Sequence, residues 1–272
     1  MKAAAFDYAR PRDLGEALRL LAEGSGAAKL LAGGQSLGPM LNLRLARPGL
    51  LVDVSRLAEL REIKDAGSAW RIGGAVTHAE IEDATLPGGE ALSLVAAGIA
   101  YRSVRNRGTI GGSLAHADPA ADWPLALAAL DAAVAARGAT GERTVPADRL
   151  MRSAFTTELA EDEIITAVTV PKLSAAARFG YFKFCRKTGE FPEASAAALL
   201  DPERRVARIF IGALSGAPQP LPALAKRVAE QGAAACTREA AAEAIATLPL
   251  DAVDRRMHAA ALLRALRQVH PA

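Results

Sequence analysis

Two short glycine-rich segments, well separated along the chain, constrain this protein more than any other feature of its sequence. Leu31–Gly38 reads LAGGQSLG and Gly108–Ser113 reads GTIGGS. A glycine pair lets the backbone adopt positive φ and approach a ligand without interference from a Cβ atom. If the two segments meet in space, their N–H groups form a concave surface that suits a phosphate or diphosphate. We therefore expect a dinucleotide clamp that is built from two loops rather than from one helix end.

Neither segment matches the common nucleotide-binding motifs. The first has the form AGGxSxG, and the chain contains neither GxGxxG nor GxxxxGK[ST] at these places. A Rossmann dinucleotide site and a phosphate-binding P-loop are therefore not indicated. Taken alone, the first segment is explained equally well by a tight turn from a strand into a helix.

Polar side chains cluster around the second glycine segment. The hydroxyl groups of Thr109 and Ser113 can donate to phosphate or ribityl oxygens. Asp122 precedes Trp-Pro at an expected helix start, where it either caps the helix or accepts a hydrogen bond from a cofactor hydroxyl. His116 and Asp118 lack a second nitrogen ligand nearby, so we expect no metal site here.

Several charged residues before the second segment have two interpretations. Arg102, Arg105 and Arg107 form either a solvated face or a cationic group that faces a diphosphate or a partner subunit. His78 follows Thr77 in a capping-box pattern, and we interpret it as an ordinary residue of the first helical turn.

Lys183 lies in an expected strand, Arg178–Cys185. Alternation places Tyr181, Lys183 and Cys185 on one face of that strand. An inward lysine needs a negative or electron-rich partner because an unpaired buried ammonium is costly. The alternative is that its amine reaches solvent.

Composition excludes several functions. The chain has 272 residues, a formal net charge of +3 and 4% aromatic residues, without a basic run, which disfavours nucleic-acid binding. Its two cysteines cannot hold an iron–sulfur cluster that needs four. No Ser-His-Asp order, nucleophile elbow or HExxH helix appears, so we expect no catalytic side chain and a bound cofactor that supplies the reactivity. Without a secretory signal or a transmembrane segment, the expected location is the cytoplasm.

The element pattern predicts an α+β protein. Residues 1–57 read as a βαβ-like unit, and residues 58–175 as a second unit of strands and helices. A third region, residues 176–272, reads as a small antiparallel sheet followed by alanine-rich helices that cover one face. We thus expect two domains, 1–175 and 176–272, the first divided into two subdomains.

Four stretches of the sequence together resemble one family. They are AGGQSLGPMLNLRLARP (32–48), RNRGTIGGSLAHADPAADWP (105–124), EIITAVTVP (163–171) and FKFCRKTGEFPEASAAA (182–198). The chain resembles the FAD-binding medium subunit of the molybdenum hydroxylases, a family with the flavoprotein subunits of carbon monoxide dehydrogenase and xanthine dehydrogenase-like enzymes.

The resemblance implies a fold of the vanillyl-alcohol-oxidase-like type with FAD as cofactor. It also implies a large molybdopterin subunit and a small subunit with two [2Fe–2S] clusters as partners, in a heterotrimer that can pair into a dimer. Electrons would pass from those clusters through FAD to an external acceptor. The implied cofactor-binding residues are Leu31, Ala32, Gly33, Gly34, Gln35, Ser36, Leu37, Gly38, Ile99, Thr109, Ile110, Gly111, Gly112, Ser113, Asp122, Ile165 and Lys183.

Two positions depart from the family pattern. Ser113 stands where relatives often have Asn or Asp, and Phe191 stands where carbon monoxide dehydrogenase-like chains tend to carry Tyr. A phenylalanine can shield a flavin ring but cannot donate a hydrogen bond. Two other functions remain open from the residues: a stand-alone FAD-dependent oxidoreductase, and an interaction module that has lost its cofactor.

Overall fold

Three main β-sheets follow one another along the chain in a computed structural model that describes residues 2–270. The first sheet is parallel, the second and third are antiparallel, and a two-stranded ribbon accompanies the second. Helices pack on the sheets rather than alternating with strands throughout, so the protein is of the α+β class.

The first sheet belongs to a short βαβ arrangement. Asp13 caps its first helix by accepting a hydrogen bond from the Glu16 N–H at 2.8 Å, and the buried face of that helix packs beside Val52. Parallel strands end at a common edge, and the second strand runs into the first glycine segment there. The elements are β1 (Asp7–Ala9), α1 (Leu14–Glu23), β2 (Ala28–Leu31), α2 (Leu37–Asn42) and β3 (Leu50–Asp53), with strand order β1-β3-β2.

The second sheet carries the largest apolar core, in which Trp123 is fully buried. Its strand order is β4-β5-β10-β6-β7, and β8 pairs with β9 as the ribbon. A 3₁₀ turn (Ala58–Leu60) leads into it. The elements are β4 (Ile63–Asp65), β5 (Ala69–Gly73), α3 (His78–Asp83), α4 (Glu90–Gly98), α5 (Arg102–Arg105), α6 (Ile110–His116), α7 (Asp122–Ala129), β6 (Ala133–Gly138), β7 (Gly141–Pro146), α8 (Ala147–Leu150), β8 (Met151–Ser153), β9 (Thr156–Thr157) and β10 (Ile164–Pro171).

The third sheet lies between two helical layers. Its C-terminal helices cover one face, and α7 packs Leu125 against Phe210 on the other, which joins the second and third sheets through one helix. A 3₁₀ turn (Gly232–Ala235) separates the first two helices. The elements are β11 (Arg178–Phe184), β12 (Ala194–Asp201), β13 (Val206–Gly212), β14 (Gln219–Pro220), α9 (Pro222–Gln231), α10 (Arg238–Ala244) and α11 (Ala252–Val269), with strand order β11-β12-β13-β14.

The sequence prediction differs from the structure in a few places. The second glycine segment, expected to be a loop, opens helix α6, so Gly111 and Gly112 are helical. Strands β7 to β9 were not predicted, because their residues are mostly exposed and show no apolar alternation.

No helix within residues 2–270 is both long enough and apolar enough to cross a membrane.

Candidate functional site

The two glycine segments meet through their backbones. A Cβ atom placed on Gly33 would lie 2.1 Å from the carbonyl oxygen of Arg107 and 2.7 Å from the Cα atom of Gly108. A Cβ atom on Gly112 would lie 3.9 Å from that of Ala32. The expectation that the two segments converge is therefore correct, and only glycine fits at position 33.

Loop one, residues 32–38, leaves four consecutive amides free. Within the described chain, the backbone N–H groups of Gly33, Gly34, Gln35 and Ser36 donate to no protein acceptor. Gly34 has φ of +71°, a conformation that favours glycine, and Ser36 begins α2 without a side-chain cap. Consecutive free amides in such a turn form an anion-binding concavity.

Loop two, residues 108–113, differs from the expectation. The amides of Ile110 and Gly111 donate to the carbonyls of Val76 and Gly74, and those of Gly112 and Ser113 donate to Thr109. These N–H groups are satisfied because the segment opens a helix that Thr109 caps. The Thr109 hydroxyl is buried and already accepts the Gly112 N–H, so loop two offers a ligand the half-buried Ser113 hydroxyl more than a row of amides.

Ile165 lies behind loop two, next to a third glycine pair, Gly73–Gly74. Sequence analysis did not single out this pair. Strand β10 shifts register between Ile165 and Ala167, and the Gly74 N–H donates to the Thr166 carbonyl at 2.9 Å. A Cβ atom on Gly74 would lie 2.2 Å from the Ile165 carbonyl oxygen. Similarly, a Cβ atom on Gly111 would lie 2.5 Å from the Gly74 carbonyl oxygen, so protein backbone rather than open space adjoins Gly111.

A second group of expected residues converges where α4, α7 and β11 meet. Asp122 Oδ1 lies 2.8 Å from Lys183 Nζ, and only 7% of the Asp122 side chain and 15% of that of Lys183 are exposed. A Cβ atom on Gly98, the neighbour of Ile99, would lie 3.9 Å from Lys183 Cε. Asp122 does not cap its helix, and most of the Lys183 side chain is buried, so the ion pair replaces both of the simpler interpretations.

Tyr181 completes this second group, although sequence analysis assigned it no role beyond its place on the strand. Its hydroxyl donates to Asp122 Oδ1 at 2.7 Å. Burial raises the pKa of Tyr181 well above its usual value, and the Asp122 carboxylate raises it further, so the phenol stays a neutral donor. Alternation along β11 places Tyr181 on the same face as Lys183. This pattern could have predicted that Tyr181 belongs to the site.

His78 is also more than a first-turn residue, which corrects our interpretation. It is buried, its Nδ1 accepts a hydrogen bond from Trp123 Nε1 at 3.1 Å, and a Cβ atom on Gly108 would lie 2.8 Å from its Nε2. Burial, with a smaller contribution from the charge of Arg105, lowers the pKa of His78 from 6.5 to about 4. A neutral imidazole thus holds loop two against α7.

The three arginines before loop two separate into two environments. Arg102 and Arg105 form ion pairs with Glu82, and Arg105 also donates to the carbonyl oxygens of Ile99 and Ala100. These contacts fix the turn after α4. Arg107 forms no ion pair within residues 2–270.

The two groups suit the two halves of a flavin nucleotide. Loop one presents four free amides that match an anionic diphosphate, and the Asp122–Lys183 pair presents an acceptor beside a donor, which matches a polar ring edge. The residues present therefore fit FAD.

Fold and site together fit a flavoprotein. The chain belongs to the family of the FAD-binding domain in molybdopterin dehydrogenases, whose sequence pattern matches residues 4–173. It is an oxidoreductase component, and FAD is its cofactor.

Individual relatives agree with this assignment. The chain is 42% identical over 223 residues to the 6-hydroxypseudooxynicotine dehydrogenase complex subunit alpha of Paenarthrobacter nicotinovorans, covering 79% of this chain and 74% of the relative. It is 40% identical over 200 residues to the carbon monoxide dehydrogenase medium chain of Hydrogenophaga pseudoflava, covering 72% and 69%. The structure of that organism's carbon monoxide dehydrogenase lacking the Mo-pyranopterin moiety superposes with a TM-score of 0.91 at 33% identity, covering 99% and 98%.

Proposed function

We propose that this chain is the FAD-carrying electron-transfer subunit of a heterotrimeric molybdenum hydroxylase. Electrons pass from [2Fe–2S] clusters of a partner subunit through FAD to an external acceptor. The observation that carries the proposal is the contact between the two glycine segments, with free amides on loop one, in a chain of the molybdopterin-dehydrogenase FAD family.

The residues of the two groups have different tasks in this proposal. Loop one and loop two hold the diphosphate, and the second group holds the flavin ring, with Ile165 contributing through its backbone. When bound, FAD supplies the redox chemistry, and no side chain of this chain acts as a general acid or base. The proposed contacts are Leu31, Ala32, Gly33, Gly34, Gln35, Ser36, Leu37, Gly38, Ile99, Thr109, Ile110, Gly111, Gly112, Ser113, Asp122, Ile165 and Lys183.

The proposed partners follow from the names of the relatives. Those names describe a medium chain of carbon monoxide dehydrogenase and a medium subunit of nicotine 6-hydroxylase, which indicates complexes of several chains. We assign the molybdopterin to a large partner and the [2Fe–2S] clusters to a small one, with a dimer of such heterotrimers as the expected assembly and the cytoplasm as its location. The substrate is bound by the large partner.

The proposal also includes the finer description of the fold. Residues 1–175 form the FAD-binding domain of the vanillyl-alcohol-oxidase-like type, with subdomains at about 1–57 and 58–175. Residues 176–272 form the C-terminal domain, which contributes Lys183 to the flavin end. The family match over residues 4–173 supports a boundary near this point.

The direct test is to purify the chain and measure bound flavin. We expect a yellow protein with one FAD per chain, and a native pull-down that recovers two further chains with molybdenum and iron. A colourless protein that takes up no added FAD would contradict the proposal and favour an interaction module that has lost its cofactor. Substrate turnover by the isolated FAD-loaded chain would favour a stand-alone oxidoreductase.

A further inference from the structure

Within residues 2–270, the shortest polar contacts of the Asp122 carboxylate are made by its Oδ1 atom. Oδ1 accepts the Tyr181 hydroxyl at 2.7 Å and lies 2.8 Å from the Lys183 ammonium. No hydrogen bond to Oδ2 is formed within residues 2–270. A carboxylate has two oxygens and about four lone-pair sites, so half of its accepting capacity is left for a ligand.

The ammonium of Lys183 is likewise only partly used. It carries three N–H donors, and Asp122 is its one ion-pair partner in the part of the chain that the structure describes. A free acceptor and a free donor therefore stand side by side. The pyrimidine edge of a flavin has the matching groups, because its N3–H is flanked by two carbonyl oxygens.

Tyr181 is itself fixed from a distant part of the chain. Its backbone N–H donates to Gln268 Oε1 at 3.0 Å, and Gln268 Nε2 donates to the Tyr181 carbonyl at 3.1 Å. Next to it, a Cβ atom on Gly180 would lie 2.1 Å from the Ala265 carbonyl oxygen, so α11 lies directly on β11. The C-terminal helix thereby sets the position of the phenol.

We propose that Tyr181 is a positioning residue for the flavin: its hydroxyl holds the Asp122 carboxylate so that Oδ2 and the Lys183 ammonium face the pyrimidine edge, and Gln268 fixes Tyr181. The inference rests on the proposed function. It gives the C-terminal helices, which lie outside the family match, a role in setting the properties of the cofactor.

The test compares the midpoint potential of bound FAD in wild type, Tyr181→Phe and Tyr8→Phe. Tyr8→Phe is the matched control because it also deletes a tyrosine-to-aspartate hydrogen bond, that to Asp53 in the first sheet. Tyr181→Phe leaves more negative charge on Asp122 beside the flavin, which disfavours reduction. We expect Tyr181→Phe to lower the midpoint potential by about 30 mV, which for a two-electron couple is a tenfold shift of the equilibrium toward oxidised flavin. We expect no change of the potential in the control.

A second variant, Gln268→Leu, removes the backbone clamp but keeps the phenol, and we expect a smaller shift in the same direction. If Tyr181→Phe fails to fold, Gln268→Leu decides the question by the same measurement. Unchanged potentials in the folded variants would overturn the inference, even if both unfold at lower temperature, because a purely structural role would alter only stability. Failure of wild-type protein to bind FAD would instead overturn the proposed function.

Discussion

Gly33 and Arg107 touch through their backbones, and this contact joins the two glycine segments. The Arg107 carbonyl oxygen would lie 2.1 Å from a Cβ atom on Gly33, which is far inside van der Waals contact. Because backbone rather than a flexible side chain occupies that position, a substitution at Gly33 must push the two loops apart.

We therefore predict that Gly33→Ala lowers the free energy of unfolding by about 2 kcal/mol and strongly weakens FAD binding. Gly216→Ala is the control, because a Cβ atom there meets nothing within 4 Å and Gly216 belongs to neither loop of the candidate site. Urea unfolding of the FAD-free proteins and flavin content after gel filtration measure the two effects. Wild-type behaviour of Gly33→Ala would show that the loops do not need this contact.

Gly38 allows a test of the ligand space without a change in protein packing. A Cβ atom there also meets no protein atom within 4 Å, yet the residue follows the free amides of loop one in helix α2. We expect Gly38→Val to unfold at or above the wild-type urea midpoint, because valine is the better helix former, and to bind FAD at least about tenfold more weakly. Wild-type FAD affinity, measured by calorimetry, would mean that the diphosphate lies elsewhere.

The buried ion pair predicts a rescue experiment. Lys183→Met leaves the Asp122 carboxylate buried without its cation, and we expect a loss of about 2 kcal/mol in the FAD-free protein. The double variant Asp122→Asn with Lys183→Met removes both charges and should recover most of that loss. Equal stability of the single and double variants would argue that solvent already screens the carboxylate.

His78 predicts the pH dependence of stability. Its pKa is lowered from 6.5 to about 4, so the unfolded chain binds more protons between these values, and stability falls as the pH falls through that window. The full loss is about 3 kcal/mol at or below pH 4. Denaturant midpoints of FAD-free protein at several pH values should show this decline. His78→Gln should flatten it, whereas His116→Gln, at a half-buried histidine, should not.

Much of this architecture follows from local sequence signals. The capping-box pattern at Thr77 and the alternation of Arg178–Cys185 predicted the start of α3 and the position of β11 to within a residue. The exposed strands β7 to β9 carried no such pattern, so they were not found.

The site was predicted less completely, because sequence periodicity does not report how distant backbones approach each other. Loop one matched the expectation of free amides, but loop two uses its amides to pair with Gly74 and Val76. The sequence predicted that Lys183 has a negatively charged partner, but not which residue it is. That partner, Asp122, lies in α7, far from β11 along the chain. Tyr181 and His78 act through such long-range contacts as well.

The most direct test of the central claim is a crystal structure of the FAD-loaded protein. We predict that diphosphate oxygens lie within hydrogen-bond distance of the amides of Gly34, Gln35 and Ser36, with the Thr109 or Ser113 hydroxyl opposite them. A diphosphate that makes no contact with loop one, while those amides face only solvent, would contradict the account.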